Sequence, residues 1–278
     1  SLTEEEMKVM YVDLLPDDIA PDDGKAKISC YFDENENLEH ITMQIQAMLE
    51  RLRGFMDIGA GTISFDKTKE EDWVNNWKKF FKPIRLDEQI VIKPTWETLE
   101  DQTEDMIVVE IDPGTAFGTG SHETTKLCLL ALRKYITPET TILDAGCGSG
   151  ILAIAALLCG AKSAFCLDID PAAVEGTLEN AQKNHISSDR LQAIHANILE
   201  NHKEILAQCH APFHITVANI LADVIVPLTD YIGEFMNEDS IFISSGILAE
   251  KADMVERSLH KNNFTIIEKN TMGDWVSF

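Results

Sequence analysis

The residues best suited to chemistry lie at Asp144-Ala145-Gly146-Cys147-Gly148-Ser149-Gly150. An apolar run ending at Asp144 leads into them, and an apolar helix pattern from Ile151 to Cys159 follows. Glycines at alternate positions let the backbone turn tightly and let a ligand approach within contact distance. A dinucleotide site spaces its glycines G-x-G-x-x-G so that a pyrophosphate rests on a helix N-terminus. Here the spacing is D-x-G-x-G-x-G. S-adenosylmethionine, which carries no phosphate, suits such a loop. Its carboxylate and ammonium can be held by the backbone at Gly146, Gly148 and Gly150 and by an acid such as Asp144.

Further candidates follow at strand ends. Asp168 lies about 20 residues past the glycines, where a carboxylate can accept hydrogen bonds from ribose hydroxyls. Asp170 precedes Pro171, a residue favoured in a first helical turn, and reads as a helix N-cap. Asn219 ends an apolar strand and reaches the space above the glycine loop, where the reacting methyl must lie; the alternative is a turn former. His122 heads the helix after Phe117-Gly118-Thr119-Gly120. It is an acid/base candidate, or else a cap or packing residue.

The elements that must position these residues alternate regularly. Strands are expected at Thr141–Asp144, Ala164–Leu167, Gln192–His195, Ile215–Ala218, Ile241–Ile243, Phe264–Glu268 and Trp275–Phe278. Helices are expected at His122–Tyr135, Ile151–Cys159, Pro171–Asn184, Ala222–Phe235 and Leu248–His260. The middle strands are apolar throughout, as in a parallel sheet covered on both faces. The expectation is an open, doubly wound, seven-stranded α/β domain that binds ligands beyond its C-terminal strand ends.

Residues 1–68 lack any glycine-rich motif. Ala26–Phe32 alternates like a strand, Leu38–Leu52 carries apolar residues at helical spacing, and Gly61–Phe65 reads as another strand. A small α+β, ferredoxin-like and incomplete domain is expected there. In the following segment Trp73, Trp77, Phe80 and Phe81 share one helix face. The expected division is 1–68 for substrate recognition, 69–82 for a linker helix and 83–278 for catalysis.

Lys and Arg number 23 against 47 Asp and Glu, a net charge of −24. That field repels phosphate backbones and anionic membranes and attracts basic partners. No apolar run approaches the roughly 20 residues that cross a bilayer. The six cysteines show no C-x-x-C spacing and stand apart from histidine clusters, so no zinc site is expected and free thiols in a reducing cytoplasm are.

FGTGSHETT (117–125), LDAGCGSGILAIAA (143–156), LDIDP (167–171), ANILA (218–222) and SGIL (245–248) occur in that order. With EEDWVNNWKKFFKP before them and GDWV at the end, they resemble the class I S-adenosylmethionine-dependent methyltransferases. Within that class they resemble the bacterial PrmA family, which modifies protein eleven of the large ribosomal subunit. The resemblance runs from about residue 70 onward; the N-terminal region looks shorter than the family's, as though a first strand and helix were absent. It implies a Rossmann-like catalytic domain, a monomer, and a basic ribosomal protein as substrate, methylated on lysine side chains and its N-terminal amine. Matched position by position, it implies cofactor contacts from Thr125, Gly146, Asp168 and Asn219.

Three other readings share the fold. A nicotinamide dehydrogenase would show G-x-G-x-x-G. A methyltransferase for nucleic acid or glutamine would resemble N-P-P-Y where this chain has Asn219-Ile220-Leu221-Ala222. A non-catalytic binding module would have less use for an intact glycine loop. A class I methyltransferase acting on another protein or a small molecule is the nearest alternative.

Overall fold

The computed structural model describes residues 38–54, 58–65, 82–103, 105–112 and 122–278. The chain divides into two units, Ser1–Asn76 and Trp77–Phe278. The strand expected at 26–32, the aromatic stripe from Trp73 to Phe81 and the Phe117–Gly120 motif lie outside the described residues.

In the first unit helix α1 (Leu38–Arg53) forms where the apolar spacing predicts it. Ile41 is buried and Ile45 and Leu49 half-buried, whereas Met48 and Leu52 are exposed. Residues 61–65, expected as a strand, join no ladder.

The second unit begins with three short strands, β1 (Ile84–Arg85), β2 (Ile90–Lys93) and β3 (Ile107–Glu110). Asp87 shapes the β1–β2 turn by accepting from the backbone N–H groups of Gln89 and Ile90. β1 pairs antiparallel with β2, and β2 pairs parallel with β3. Then follow α2 (Glu123–Tyr135), β4 (Thr141–Ala145), α3 (Ile151–Leu158), β5 (Ser163–Asp168), α4 (Pro171–Lys183), β6 (Leu191–His195), α5 (Ile198–Gln208) and β7 (Phe213–Asn219). The chain closes with α6 (Ala222–Leu228), β8 (Met236–Ser245), β9 (Ile247–Leu248), α7 (Ala252–Lys261), β10 (Asn270–Met272) and β11 (Trp275–Ser277).

The central sheet has the order β6-β5-β4-β7-β8, all parallel. The order reverses at β4, so the crevice between the β4 and β7 ends is the topological switch point where such sheets bind ligands. Alternation along β4 divides the core. Ile142 joins the cluster under α2 and α3 with Leu129, Leu132 and Ile154. Leu143 and Ala145 join the opposite cluster with Phe165, Ile205, Leu228 and Phe235. Burying one such side chain contributes roughly 1.5–3 kcal/mol, so the sheet position of β4, and of the loop that leaves it, is strongly fixed.

Several expectations need correction. Of the seven expected strands, five form the parallel sheet, and Trp275–Phe278 lies instead in a separate three-stranded antiparallel sheet, β10-β11-β9. Phe278 bridges the two by exchanging both backbone hydrogen bonds with Ser244, each 2.9 Å. Phe264–Glu268 is not a strand. Phe264 and Ile266 pack inward, which gives the sequence its alternation, but the ladder forms at Asn270–Met272. The helix expected to Phe235 stops at Leu228, just past Pro227, and a 3-10 turn covers Ile232–Phe235. Leu248 belongs to β9, and α7 begins only at Ala252. Helix α5 is an addition, capped by Asn197, whose side chain accepts from the Leu199 N–H.

Candidate active site

The glycine loop leaves β4 and enters α3 through backbone that only glycine adopts readily. Gly146, Gly148 and Gly150 all have positive φ, at 84°, 54° and 78°. A Cβ on Gly146 would lie 2.5 Å from Ile220 Cγ2, and one on Gly150 2.8 Å from Thr177 Cγ2. Because Gly150 is the N-cap of α3, it offers no side chain to the first-turn N–H groups. Asp144 supplies that bond: the Ala153 N–H donates to Asp144 Oδ2 at 3.3 Å.

Asp144 is wholly buried, and its Oδ1 has no hydrogen-bond partner. Burial, with the nearby Asp168 charge adding to it, pushes its carboxyl up to about 7. An ionisable oxygen left unpaired at such depth costs free energy. It is therefore an acceptor prepared for a donor, and an ammonium group is a donor of the right charge.

Asp168 ends β5 on the other side of the loop. The Gly148 N–H donates to its Oδ2 at 2.9 Å, and the Asp170 N–H to its Oδ1 at 3.0 Å. Each carboxylate oxygen has further lone pairs, so ribose hydroxyls can still be accommodated. Asp170 is the N-cap of α4, accepting from the Ala172 N–H at 2.9 Å, with Pro171 at N1. Asp170 takes the N-cap position that the sequence predicts for it.

Asn219, at the C-terminal end of β7, donates from Nδ2 to Thr125 Oγ1 at 3.4 Å. Thr125 lies in the first turn of α2 and is fully buried. The Asn219 Oδ1 is buried without a partner. Next to Asn219 in the β7–β8 register stands the buried Ser245. Thr125, Asp144, Gly146 and Asn219 thus meet where the β4, β7 and α2 ends converge, with Asp168 at the margin.

His122 takes a different position. It is the N-cap of α2, with the Thr124 N–H donating to its Nδ1 at 3.3 Å and the Thr124 Oγ1 2.9 Å away. Its ring meets Trp275 edge-on at 4.8 Å. The cap engages Nδ1 of the ring.

The sequence reading missed Thr177, Asn180 and Asn184 on α4. Thr177 donates to the Gly148 carbonyl at 3.0 Å, and Asn180 to the Ser149 carbonyl at 3.0 Å. Asn180, a poor helix former inside α4, was the available signal, with Asn184 at the helix C-cap. A cavity of about 490 Å³ also borders α4, lined in part by Lys93, Glu110, Leu158 and Lys183. It lies at the C-terminal ends of α3 and α4, away from the glycine loop, and Lys93 pairs with Glu110 and Lys183 with Asp112. Among the described residues no group of three or more His, Cys, Asp or Glu could hold a metal, and no helix is long and apolar enough to cross a membrane.

The sequence model of the ribosomal protein L11 methyltransferase (PrmA) family matches residues 3–278. The chain belongs to this family. The ribosomal protein L11 methyltransferase of Lachnoclostridium phytofermentans is 47% identical over 289 residues, covering 99% of this chain and 86% of its own. That of Lachnospira eligens is 44% identical, with the same shares covered. Among solved structures, the ribosomal protein L11 methylase of Lactobacillus delbrueckii subsp. bulgaricus aligns with a TM-score of 0.64 at 34% identity, over 71% of this chain and 96% of that one. As a member of the family, the chain is a protein methyltransferase with S-adenosylmethionine as methyl donor and S-adenosylhomocysteine as product. The crevice fits that donor. The unpaired Asp144 oxygen suits its ammonium, and the positive φ of Gly146, Gly148 and Gly150 gives the loop its tight turn beside that acid.

Proposed function

We propose that this enzyme methylates the lysine ε-amines and the N-terminal α-amine of ribosomal protein L11 at the β4–β7 crevice. In this reading Gly146, Gly148 and Gly150 hold the donor's amino-acid end with Asp144, Asp168 holds its ribose, and Thr125 and Asn219 line its reacting end. The observation that carries the proposal is the buried, unpartnered Asn219 Oδ1 beside Thr125.

S-adenosylmethionine brings an electrophilic methyl group on a sulfonium, an excellent leaving group. The chain's task is therefore mainly to position donor and acceptor. A free lysine has a pKa of about 10.4 and must lose its proton before it can attack. Desolvation in the crevice lowers that pKa, and the proton leaves to water. Asn219 Oδ1 accepts one N–H of the amine and so turns its lone pair toward the methyl group. His122 holds the start of α2 as its cap. Residues 1–68 bind the substrate, 69–82 connect, and 83–278 catalyse; the charge of −24 favours a basic partner such as a ribosomal protein.

Mass spectrometry of purified L11 after reaction tests the acceptor. Methylated lysines and a methylated N-terminus are expected. Modification confined to another side chain would overturn the assignment.

A further inference from the structure

Helix α4 carries a polar stripe that faces inward. Thr177 and Asn180 stand at i and i+3 on one side of the helix, and Asn184, its C-cap, follows at i+7. Thr177 and Asn180 are buried. Thr177 Oγ1 donates to the carbonyl of Gly148, and Asn180 Nδ2 to the carbonyl of Ser149. Two consecutive carbonyls of the glycine loop are thus held from behind by one helix.

Asn180 does more than this. Its Oδ1 accepts the backbone N–H of Asp112 at 3.1 Å, and its Nδ2 also approaches the Asp112 carbonyl at 3.5 Å. Lys183 Nζ lies 3.4 Å from the same Oδ1. Flipping the amide would set its oxygen against two carbonyls and its NH₂ against two donors, so the partners fix the orientation. Asp112 is itself anchored. Thr95 donates to it from both N–H and hydroxyl, each 2.8 Å, and Lys183 pairs with it at 3.0 Å. Burial pushes the Asp112 carboxyl up, but these bonds outweigh it and hold it below the usual range. In sequence Asp112 immediately precedes Pro113–Gly120, the segment that ends in FGTG.

Asn184 provides an internal comparison. It makes the same kind of amide clamp, accepting the Glu110 N–H at 2.8 Å and donating to the Glu110 carbonyl at 2.6 Å. None of its hydrogen bonds reaches the glycine loop. Asn184 ties α4 to Glu110 at the end of β3 and Asn180 ties it to Asp112 two residues further on, but Asn180 also holds the loop.

We propose that Asn180 is a positioning residue for cofactor binding: it fixes the Ser149 carbonyl, and so the path of the glycine loop, and ties that loop to Asp112. The proposal rests on the reading of the glycine loop as the cofactor site. A loop whose carbonyls are held from behind keeps the same backbone shape with or without ligand, so binding does not have to order it.

The test compares Asn180→Ala, Asn180→Asp, Asn184→Ala and Asp168→Asn by calorimetry with S-adenosylmethionine, thermal denaturation, and steady-state kinetics on L11. Asn180→Asp keeps the side-chain volume and the bond from Asp112, and turns an oxygen toward two carbonyls. It serves should the alanine variant fold poorly. Both Asn180 variants are expected to raise the Kd and the cofactor KM by about tenfold, the loss of one to two hydrogen bonds, with kcat at saturating cofactor little changed. Asn184→Ala is expected to lower the Tm about as much as Asn180→Ala does and to leave the Kd within about twofold. If the Asn180 variants behave as Asn184→Ala does while Asp168→Asn loses affinity, Asn180 is a structural clamp and the proposal is overturned. If Asp168→Asn also keeps full affinity, the cofactor-site reading itself fails, and the proposal with it.

Discussion

Asp144 and Asp168 end neighbouring strands and both serve the glycine loop, yet their surroundings differ. Asp144, on the floor of the crevice, is wholly buried, makes one long bond to Ala153 and leaves its second oxygen unpaired. Asp168, on the rim, is half-buried and has each oxygen bonded to a backbone N–H. The rim is complete before any ligand arrives, whereas the floor stores an unmet interaction. Strain of this kind persists where surrounding structure over-determines it and a ligand relieves it. The comparison predicts that substitutions on the floor will move stability and affinity in opposite directions, and that those on the rim will not.

The largest effect should come from Gly146→Ala, which disturbs floor and rim together. The new Cβ meets Ile220 at 2.5 Å in backbone with φ of 84°. Left-handed strain of about 1–2 kcal/mol adds to overpacking of about 1–3 kcal/mol, and the loop must move away from both acids. Gly160 has φ of 104° with nothing within 4 Å of its would-be Cβ. Gly160→Ala should therefore show only the backbone strain and keep full cofactor affinity. Calorimetry on the pair decides this; equal affinity losses would mean that the loop's own geometry is not what binds.

Asp144→Asn should come next, and it breaks the comparison most directly. An unfolded aspartate titrates near 3.9, whereas the folded Asp144 titrates at about 7. Between those values the folded state binds more protons, so this group's contribution to stability falls as pH rises from about 4 to about 7 and is constant above. Asparagine carries no such dependence and resembles the protonated acid in shape and bonding. The variant should be more stable than the parent at pH 8, by up to about 4 kcal/mol, with the gain vanishing near pH 4. Its affinity for S-adenosylmethionine should fall, because the ammonium loses its counter-charge. Denaturant melts at both pH values supply the check. A variant less stable at pH 8 would show that the buried carboxylate is compensated after all.

The parts of this arrangement that were legible in the sequence are those encoded by near neighbours. The glycine spacing, the Asp170-Pro171 cap and the alternation of apolar strands with helices each lie within a dozen residues. Phe264–Glu268 misled because alternation reports which side chains face the core, whereas a strand also needs a ladder partner, and only 270–272 has one. Residues 61–65 also join no ladder, and Phe65 there is exposed. Helix α5 carried its start signal at Asn197, but backbone at Asn201 leaves helical geometry and interrupts the pattern. The roles of Asn180 and Asn184 were hidden because their partners at Asp112 and Glu110 are 68 and 74 residues away. Asn219 could be named from its place after a strand, but its pairing with Thr125 spans 94 residues and comes only with the fold.

The smallest effects concern the rim, where Asp168 and Asp170 are separated by one residue. Asp168→Asn keeps an oxygen for the Asp170 N–H but turns an NH₂ toward the Gly148 N–H, setting two donors face to face. It also removes the charge that strengthens bonds from ribose hydroxyls. The expected loss is about 1.5–3 kcal/mol of binding free energy. Asp170→Ala removes the cap on the Ala172 N–H and should lower stability by about 0.5–2 kcal/mol. It leaves affinity intact, because Asp168 accepts from the Asp170 backbone and not from its side chain. Both should lose in one quantity without gaining in the other, unlike Asp144→Asn. Thermal denaturation and calorimetry on the same samples read the two quantities together. If Asp170→Ala weakened binding as much as Asp168→Asn does, the cap on α4 and the ribose acid would form one unit, and the rim would share the coupling of the floor.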